Sequence, residues 1–265
     1  MSVNESPVRF SVDASIASVT LNRPDHANSI NLDMAQALLD IAIRCDADSA
    51  IRCVVLTGAG RMFCPGGDLA EFADAGKRMP ALLSRLAGTL HLAISRFARM
   101  PKPLLVLVNG PAAGAGMSLS LLGDVVLAAD SAHFTVGYPA IGLSPDGGLT
   151  WLLPRLVGLR KAQDLIISNR RVLAAEAESM GLVTRVLDGK TLAEEGAATA
   201  QRLSLTAVGA VGLARNLLLD SSAGTLETHL EREARAICSA SAGYEGQEGV
   251  AAFVAKRKPR FEGGQ

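Results

Sequence analysis

The run Leu104-Leu105-Val106-Leu107-Val108-Asn109-Gly110-Pro111-Ala112-Ala113-Gly114-Ala115-Gly116-Met117-Ser118 passes from strand to turn to helix start. Its opening apolar residues have no polar alternation, which fits a strand buried on both faces. Asn109-Gly110-Pro111 ends that strand. The small residues beyond it let backbone approach backbone or ligand closely. Met117–Leu122 then reads as a short helix, whose first amides lack partners and favour an anion or a polarised oxygen. The pattern is only superficially a dinucleotide fingerprint. Leu119 stands where a third glycine belongs, and no acidic residue follows at the expected offset, the nearest being Asp130. Tight packing of helix on strand is the other reading of these small residues.

Working outward, the same strand–loop–helix unit recurs. Val125–Ala129 is a further buried strand after Gly123-Asp124, and Ile51–Thr57 is a β-branched strand closed by Gly58-Ala59-Gly60. Val8–Val12 and Ile16–Leu21 read as two strands joined at Asp13-Ala14-Ser15. Asn31 or Ser29 caps a helix over Leu32–Cys45, with Met34, Leu38, Ile41 and Cys45 on one face. Residues 61–80 read as irregular. Ala81–Arg99 is a helix with Leu82, Leu86 and Leu90 on one face, stopped by Pro101 and Pro103. The class is α/β. Past about residue 190 strands cease and four helices are expected, the last over Glu245–Lys258. Two regions follow from this: an α/β body over residues 1–195 and a helical region over residues 196–265.

The 265 residues suffice for a sizeable core, and 49% hydrophobic with 20% charged residues is an ordinary globular composition. Lys+Arg and Asp+Glu both number 26, so no basic excess points to a nucleic-acid partner. No run of about 18 apolar residues suggests a membrane span. Cys45, Cys53, Cys64 and Cys238 form no CxxC pair, and the histidines have no HExxH spacing. No metal site is expected. With no leader pattern before Pro7, a cytoplasmic protein is the expectation.

Three further stretches could carry chemistry. Phe63-Cys64-Pro65-Gly66-Gly67-Asp68-Leu69 follows a strand, and its glycines either expose amides to a ligand or form an ordinary turn. Ile141-Gly142-Leu143-Ser144-Pro145-Asp146-Gly147-Gly148-Leu149-Thr150-Trp151 sets an aspartate before a helix, as an N-cap or as a base. Ala252-Phe253-Val254-Ala255-Lys256-Arg257-Lys258 is a basic helix end, complementing the helix dipole or binding phosphate. Ser118 lacks a GxSxG frame. His91, between Leu90 and Leu92, reads as a structural histidine, and Tyr138 and Trp151 as core or pocket-wall aromatics.

Taken in order, these motifs resemble the enoyl-coenzyme A hydratase/isomerase (crotonase) superfamily over essentially the whole chain. The signposts are Leu21-Asn22-Arg23-Pro24 with Asn28; Leu56 to Cys64; Gly67-Asp68-Leu69; Lys102-Pro103 to Asn109-Gly110; Gly114-Ala115-Gly116; Asp124; and Leu153-Pro154-Arg155-Leu156-Val157-Gly158. Ala175-Glu176-Ala177, Gly181-Leu182-Val183 and Phe253 with Lys256-Arg257 complete the series. The resemblance implies a spiral of repeated ββα units, with C-terminal helices that build a homotrimer or a dimer of trimers. It implies an acyl-coenzyme A thioester as substrate, with no cofactor beyond the coenzyme A that the substrate carries. It puts the oxyanion-hole amides on Gly67 and Ala115 and the coenzyme A contacts on Cys64, Gly66, Asp68 and Leu69. Phe253 and Lys256 would lie near the nucleotide end. Met117, Ser118, Tyr138 and Trp151 would form the acyl pocket or its support.

The departures from the family pattern are informative. The two glutamates of the family's hydratases fall on Ser118 and Tyr138, and neither is a carboxylate base near neutral pH. Asp146 falls where family isomerases place a single acid. Its surroundings, and Tyr244 to Phe253, look most like the ring-1,2-epoxyphenylacetyl-coenzyme A isomerases. The resemblance therefore implies an isomerase that shifts a double bond or rearranges a ring epoxide, with Asp146 as acid/base. Alternatives are a hydratase-like activity, a 4-chlorobenzoyl-coenzyme A dehalogenase-like activity, and a non-catalytic acyl-coenzyme A-binding subunit.

Overall fold

Apolar runs without alternation need cover on both faces, and a spiral supplies it. The computed structural model describes residues 6–263. The first part of the chain gives β1 (Val8–Asp13), β2 (Ile16–Leu21), α1 (Leu32–Ala47), β3 (Cys53–Gly58), α2 (Leu69–Ala75), α3 (Met79–Arg99) and β4 (Leu104–Val108). Next come β5 (Ala112–Ala113), α4 (Ala115–Ser120), β6 (Val125–Ala129), β7 (His133–Thr135), α5 (Leu149–Val157), α6 (Leu159–Ser168), β8 (Val172–Leu173), α7 (Ala174–Ser179) and β9 (Arg185–Leu187). The rest is helical: α8 (Leu192–Ser204), α9 (Val208–Asp220), α10 (Leu226–Ala242) and α11 (Tyr244–Val254).

Six strands form one sheet in the order β1-β2-β3-β4-β6-β9. The β1–β2 hairpin is antiparallel and every other neighbour is parallel. A small sheet, β5-β7-β8, is prolonged by parallel bridges Cys64↔Ala112 and Ile30↔Gly67. Successive turns of the chain thus lay one strand in the large sheet and a short one in the small sheet: β2 then Ile30, β3 then Cys64–Gly67, β4 then β5, β6 then β7. This is the repeated ββα spiral that the motif order implied. Every residue of β4 is buried, as its unbroken apolar run requires.

Two elements differ from the sequence reading. Residues 61–80 are not irregular throughout, because Asp68 caps α2 by accepting from the Glu71 amide at 3.5 Å. The last helix stops at Val254, because Lys256 turns left-handed (φ 53°) and Arg257 pairs back onto Glu248 at 2.6 and 2.7 Å. The basic cluster therefore lies beyond the helix.

The expected division between residues 195 and 196 falls inside α8, which packs on β2, β3, β4 and β6. Helix α9 is tied to the body through Arg215. This buried guanidinium meets the Asp124 carboxylate at 2.7 Å, donates to the Phe97 carbonyl at 3.1 Å and also to the Met100 carbonyl. Asp124 in turn accepts the Leu104 amide at 2.7 Å, at the start of β4. In contrast, α10 has no buried residue, and Leu226, Ile237, Val250, Phe253 and Val254 of the last two helices are exposed. Among the described residues no helix is long and apolar enough to cross a membrane, and no cluster of metal-ligating side chains occurs.

Arg215→Met removes the buried partner of an ion pair whose carboxylate is partly exposed, and strands two carbonyls. It should lower the unfolding free energy by about 2–4 kcal/mol. Chemical denaturation measures this, and an unchanged midpoint would show that the cluster carries no net stability.

Candidate functional site

The site begins where parallel strands end, at the loops after β3 and β4. Two asparagines hold the first loop. Asn28 is fully buried, donates to the Ala59 and Met62 carbonyls at 2.8 Å, and accepts the Arg23 amide at 3.0 Å. Asn109 donates to the Gly60 carbonyl at 3.0 Å and accepts the Gly58 amide at 3.1 Å. The chain then enters the small sheet: Ala113 N–H donates to Cys64, Gly114 N–H to Thr135, Ile30 N–H to Gly66 and Asp68 N–H to Ile30.

This pairing passes over two amides. Neither Gly67 N–H nor Ala115 N–H has an acceptor among the described residues. Both residues line the same cavity. Buried amides without partners are rare and costly, so such a pair marks a place for an incoming oxygen. Glycine makes the approach possible. A Cβ on Gly116 would fall 2.1 Å from the Cys64 carbonyl oxygen, and Gly66 adopts φ 111°.

The cavity, about 470 Å³, is walled mainly by apolar side chains. Leu83, Leu86, Ala87 and Leu90 come from one face of α3; Leu69 and Phe72 come from α2, and Ile141 and Leu143 from the loop before α5. Asp146 is the one charged residue in the lining. It is not a helix cap: α5 is entered from Gly148, at φ 79°, with no side-chain cap bond. The Asp146 carboxylate accepts the Tyr138 hydroxyl on Oδ1 at 2.5 Å, and Oδ2 lies 3.4 Å from His91 Nε2. Burial, and then the Asp146 charge beside it, push the Tyr138 phenol well above its ordinary range, so it stays protonated and donates. Ser118 Oγ donates to the Asp146 carbonyl at 3.0 Å, and the Gly147 amide donates to His91 Nε2 at 3.0 Å.

Of the residues singled out from the sequence, Gly66, Gly67, Leu69, Ala115, Tyr138 and Asp146 converge on this cavity. The others do not line it. Cys64 is fully buried behind the loop, where burial pushes its thiol up to about 12. Asp68 faces Arg23 at 2.9 Å. Met117 and Ser118 are buried, and Ser118 touches the site through the Asp146 backbone carbonyl. Trp151 is partly exposed under the Arg155 guanidinium, 3.7 Å from its ring. Phe253, 85% exposed, and Lys256 lie at and beyond the end of α11. His91 was read as structural, yet it touches the carboxylate loop. The missed signal is its spacing: 83, 87 and 91 stand one helical turn apart on α3.

The family model described as "Enoyl-CoA hydratase/isomerase" matches residues 11–264. A "1,2-epoxyphenylacetyl-CoA isomerase" of Escherichia coli (strain K12) is 38% identical, over 95% of this chain and 97% of its own. The crystal structure of an enoyl-CoA hydratase from Polaromonas sp. JS666 is 31% identical with a TM-score of 0.91, covering 96% of this chain and 98% of its own. An enoyl-CoA hydratase from Bacillus anthracis is 30% identical with a TM-score of 0.90, covering 97% and 99%. The chain belongs to the enoyl-CoA hydratase/isomerase family, whose members act on acyl-coenzyme A thioesters.

The Arg23–Asp68 pair joins the Asn28 loop to the start of α2. Burial raises the Asp68 carboxyl, but hydrogen bonds from Arg23 and the Glu71 amide, with the Arg23 charge, more than offset it. The group sits below the ordinary carboxylate range. A carboxyl depressed in the folded state adds stability above its unfolded value, about 3.9, and loses it as pH falls through the folded value. Asp68→Asn should therefore be less stable than wild type at pH 7, with the gap closing below about pH 4. Melting curves across that range test this, and a gap independent of pH would contradict it.

Proposed function

We propose that the chain is an acyl-coenzyme A isomerase in which Gly67 and Ala115 bind the thioester oxygen and Asp146 moves the proton. The observation that carries this reading is one carboxylate and one pair of partnerless amides lining the same apolar cavity. Proton loss from the carbon next to the thioester carbonyl puts enolate charge on that oxygen. Preorganised amides stabilise such charge by about 3 kcal/mol per donor. Asp146, now protonated, returns the proton to the carbon two positions farther along, and the double bond shifts. No water is activated, so one acid/base suffices. For a ring epoxide of a phenylacetyl thioester, the kind of substrate named for the Escherichia coli relative, the same carboxylate would steer ring opening.

The apolar walls favour an acyl group without charge. The step needs no resident cofactor. The Cys64–Leu69 segment would meet the pantetheine arm through its backbone. The exposed apolar side chains of α10 and α11 support contact with a second subunit; in the trimer that the family resemblance implies, Phe253 and Lys256 would lie near a neighbouring subunit's coenzyme A.

Asp146→Asn should cut turnover of 3-enoyl and ring-epoxide thioesters by about a thousandfold, while a saturated acyl-coenzyme A still binds. Turnover assays paired with calorimetric binding measure this. Retained isomerisation would overturn the assignment, and solvent oxygen in the product would point to hydration instead.

A further inference from the structure

The peptide unit between Asp146 and Gly147 is held at both ends. Its carbonyl oxygen accepts Ser118 Oγ at 3.0 Å, and its N–H donates to His91 Nε2 at 3.0 Å. Space is also tight. Gly147 adopts φ 62°, and a Cβ there would fall 2.9 Å from Ser118 Cβ and 3.4 Å from Ile94 Cδ1. A peptide plane bonded at its oxygen and its nitrogen cannot rotate. The Asp146 Cα lies in that plane, so the point from which its side chain leaves is fixed with it, and the Tyr138 hydroxyl holds the carboxylate at the other end.

The same bond assigns the histidine's proton. A nitrogen that accepts an N–H carries a lone pair, so the ring proton of neutral His91 sits on Nδ1. An unprotonated Nε2 has no hydrogen to give Asp146 Oδ2, 3.4 Å away. Oδ1 already takes the Tyr138 hydroxyl. Of the two carboxylate oxygens, Oδ2 keeps its electron pairs uncommitted.

We infer that His91 is a positioning residue for the proton-transfer step. It acts through the Gly147 amide, holds Asp146 toward the cavity and leaves Oδ2 as the oxygen that exchanges the proton. The inference rests on the reading of Asp146 as the acid/base. It gives His91 no proton to move: its free nitrogen is occupied by the backbone, so it is not the base itself.

Two variants separate this role from a structural one. His91→Leu removes the acceptor, and His91→Gln restores one, since the glutamine side-chain oxygen can take the Gly147 N–H. Each is assayed with a 3-enoyl-coenzyme A thioester, with butyryl-coenzyme A for binding and with thermal melting for folding. His91→Leu should lower kcat about 10- to 100-fold, the loss typical of a misplaced catalytic group, with unchanged butyryl-coenzyme A affinity and melting temperature. His91→Gln should recover most of that loss. Nitrogen-15 NMR of histidine-labelled wild type, which needs no substrate, should show the His91 Nε2 signal as unprotonated. An unchanged kcat in His91→Leu, no recovery in His91→Gln, or a protonated Nε2 in the neutral ring would each overturn the inference. Asp146→Asn distinguishes the two failures: if that variant stays active, the isomerase reading falls, whatever the His91 variants do.

Discussion

Contact of bare backbone on bare backbone governs this molecule. The Cys64–Gly67 segment and the Gly114–Gly116 segment come so close that Gly116 leaves no room for a side chain against the Cys64 carbonyl. Neighbouring strands pair in the usual way on either side. At the crossing itself the pairing skips Gly67 N–H and Ala115 N–H, and both residues line the cavity. The rest of the architecture serves that closeness. The spiral brings successive loops to the same ends of parallel strands, and Asn28 and Asn109 fix the turn between β3 and Cys64 from two sides. Hydrogen bonds to buried carbonyls hold such a turn better than apolar packing could, because they set direction as well as distance.

An apolar cavity would make a lone carboxylate costly. The structure meets that cost with one donor on one oxygen, the Tyr138 hydroxyl, rather than with a cation. A guanidinium there would hold the carboxylate charged and poor at taking protons from carbon. A phenol kept protonated by burial supports the charge as a dipole and not as a full counter-charge. Arg23 and Asp68, a close ion pair near the loops, are spent on each other at the start of α2. Strong pairing is used where the backbone must be rigid, and weak pairing where the chemistry must be reversible.

Much of this was legible in the sequence. Unalternated apolar runs gave β3, β4 and β6, the glycine loops gave the two amide-bearing segments, and motif order gave the spiral. What escaped depends on side-chain direction. Asp68 reads as part of a ligand loop, but its side chain turns back to cap α2, a local bond that one chain of letters does not specify. Asp146 reads equally as cap or base until Gly148 is seen to start α5. His91 looked structural because its partner, the Gly147 amide, lies 56 residues away in sequence. Trp151 and Met117 neighbour site residues in the chain but face elsewhere, since a helix turns adjacent positions apart by about 100°.

The departures from the hydratase pattern form one arrangement. By resemblance, the two glutamates of the family's hydratases would stand at positions 118 and 138. Here both positions carry hydroxyls, and both hydroxyls donate to Asp146: Ser118 to its backbone carbonyl and Tyr138 to its carboxylate. Adding water calls for a base toward the water and an acid toward the carbon, the work that two glutamates share in the family's hydratases. Moving a double bond requires one group that gives back what it took. On the proposed isomerase reading, two hydroxyls that support a third residue stand where two acids would, an arrangement in keeping with the second chemistry. The two partnerless amides do not depend on positions 118 and 138 for any hydrogen bond, so on that reading enolate stabilisation, which both reactions need, would survive the change of carboxylates.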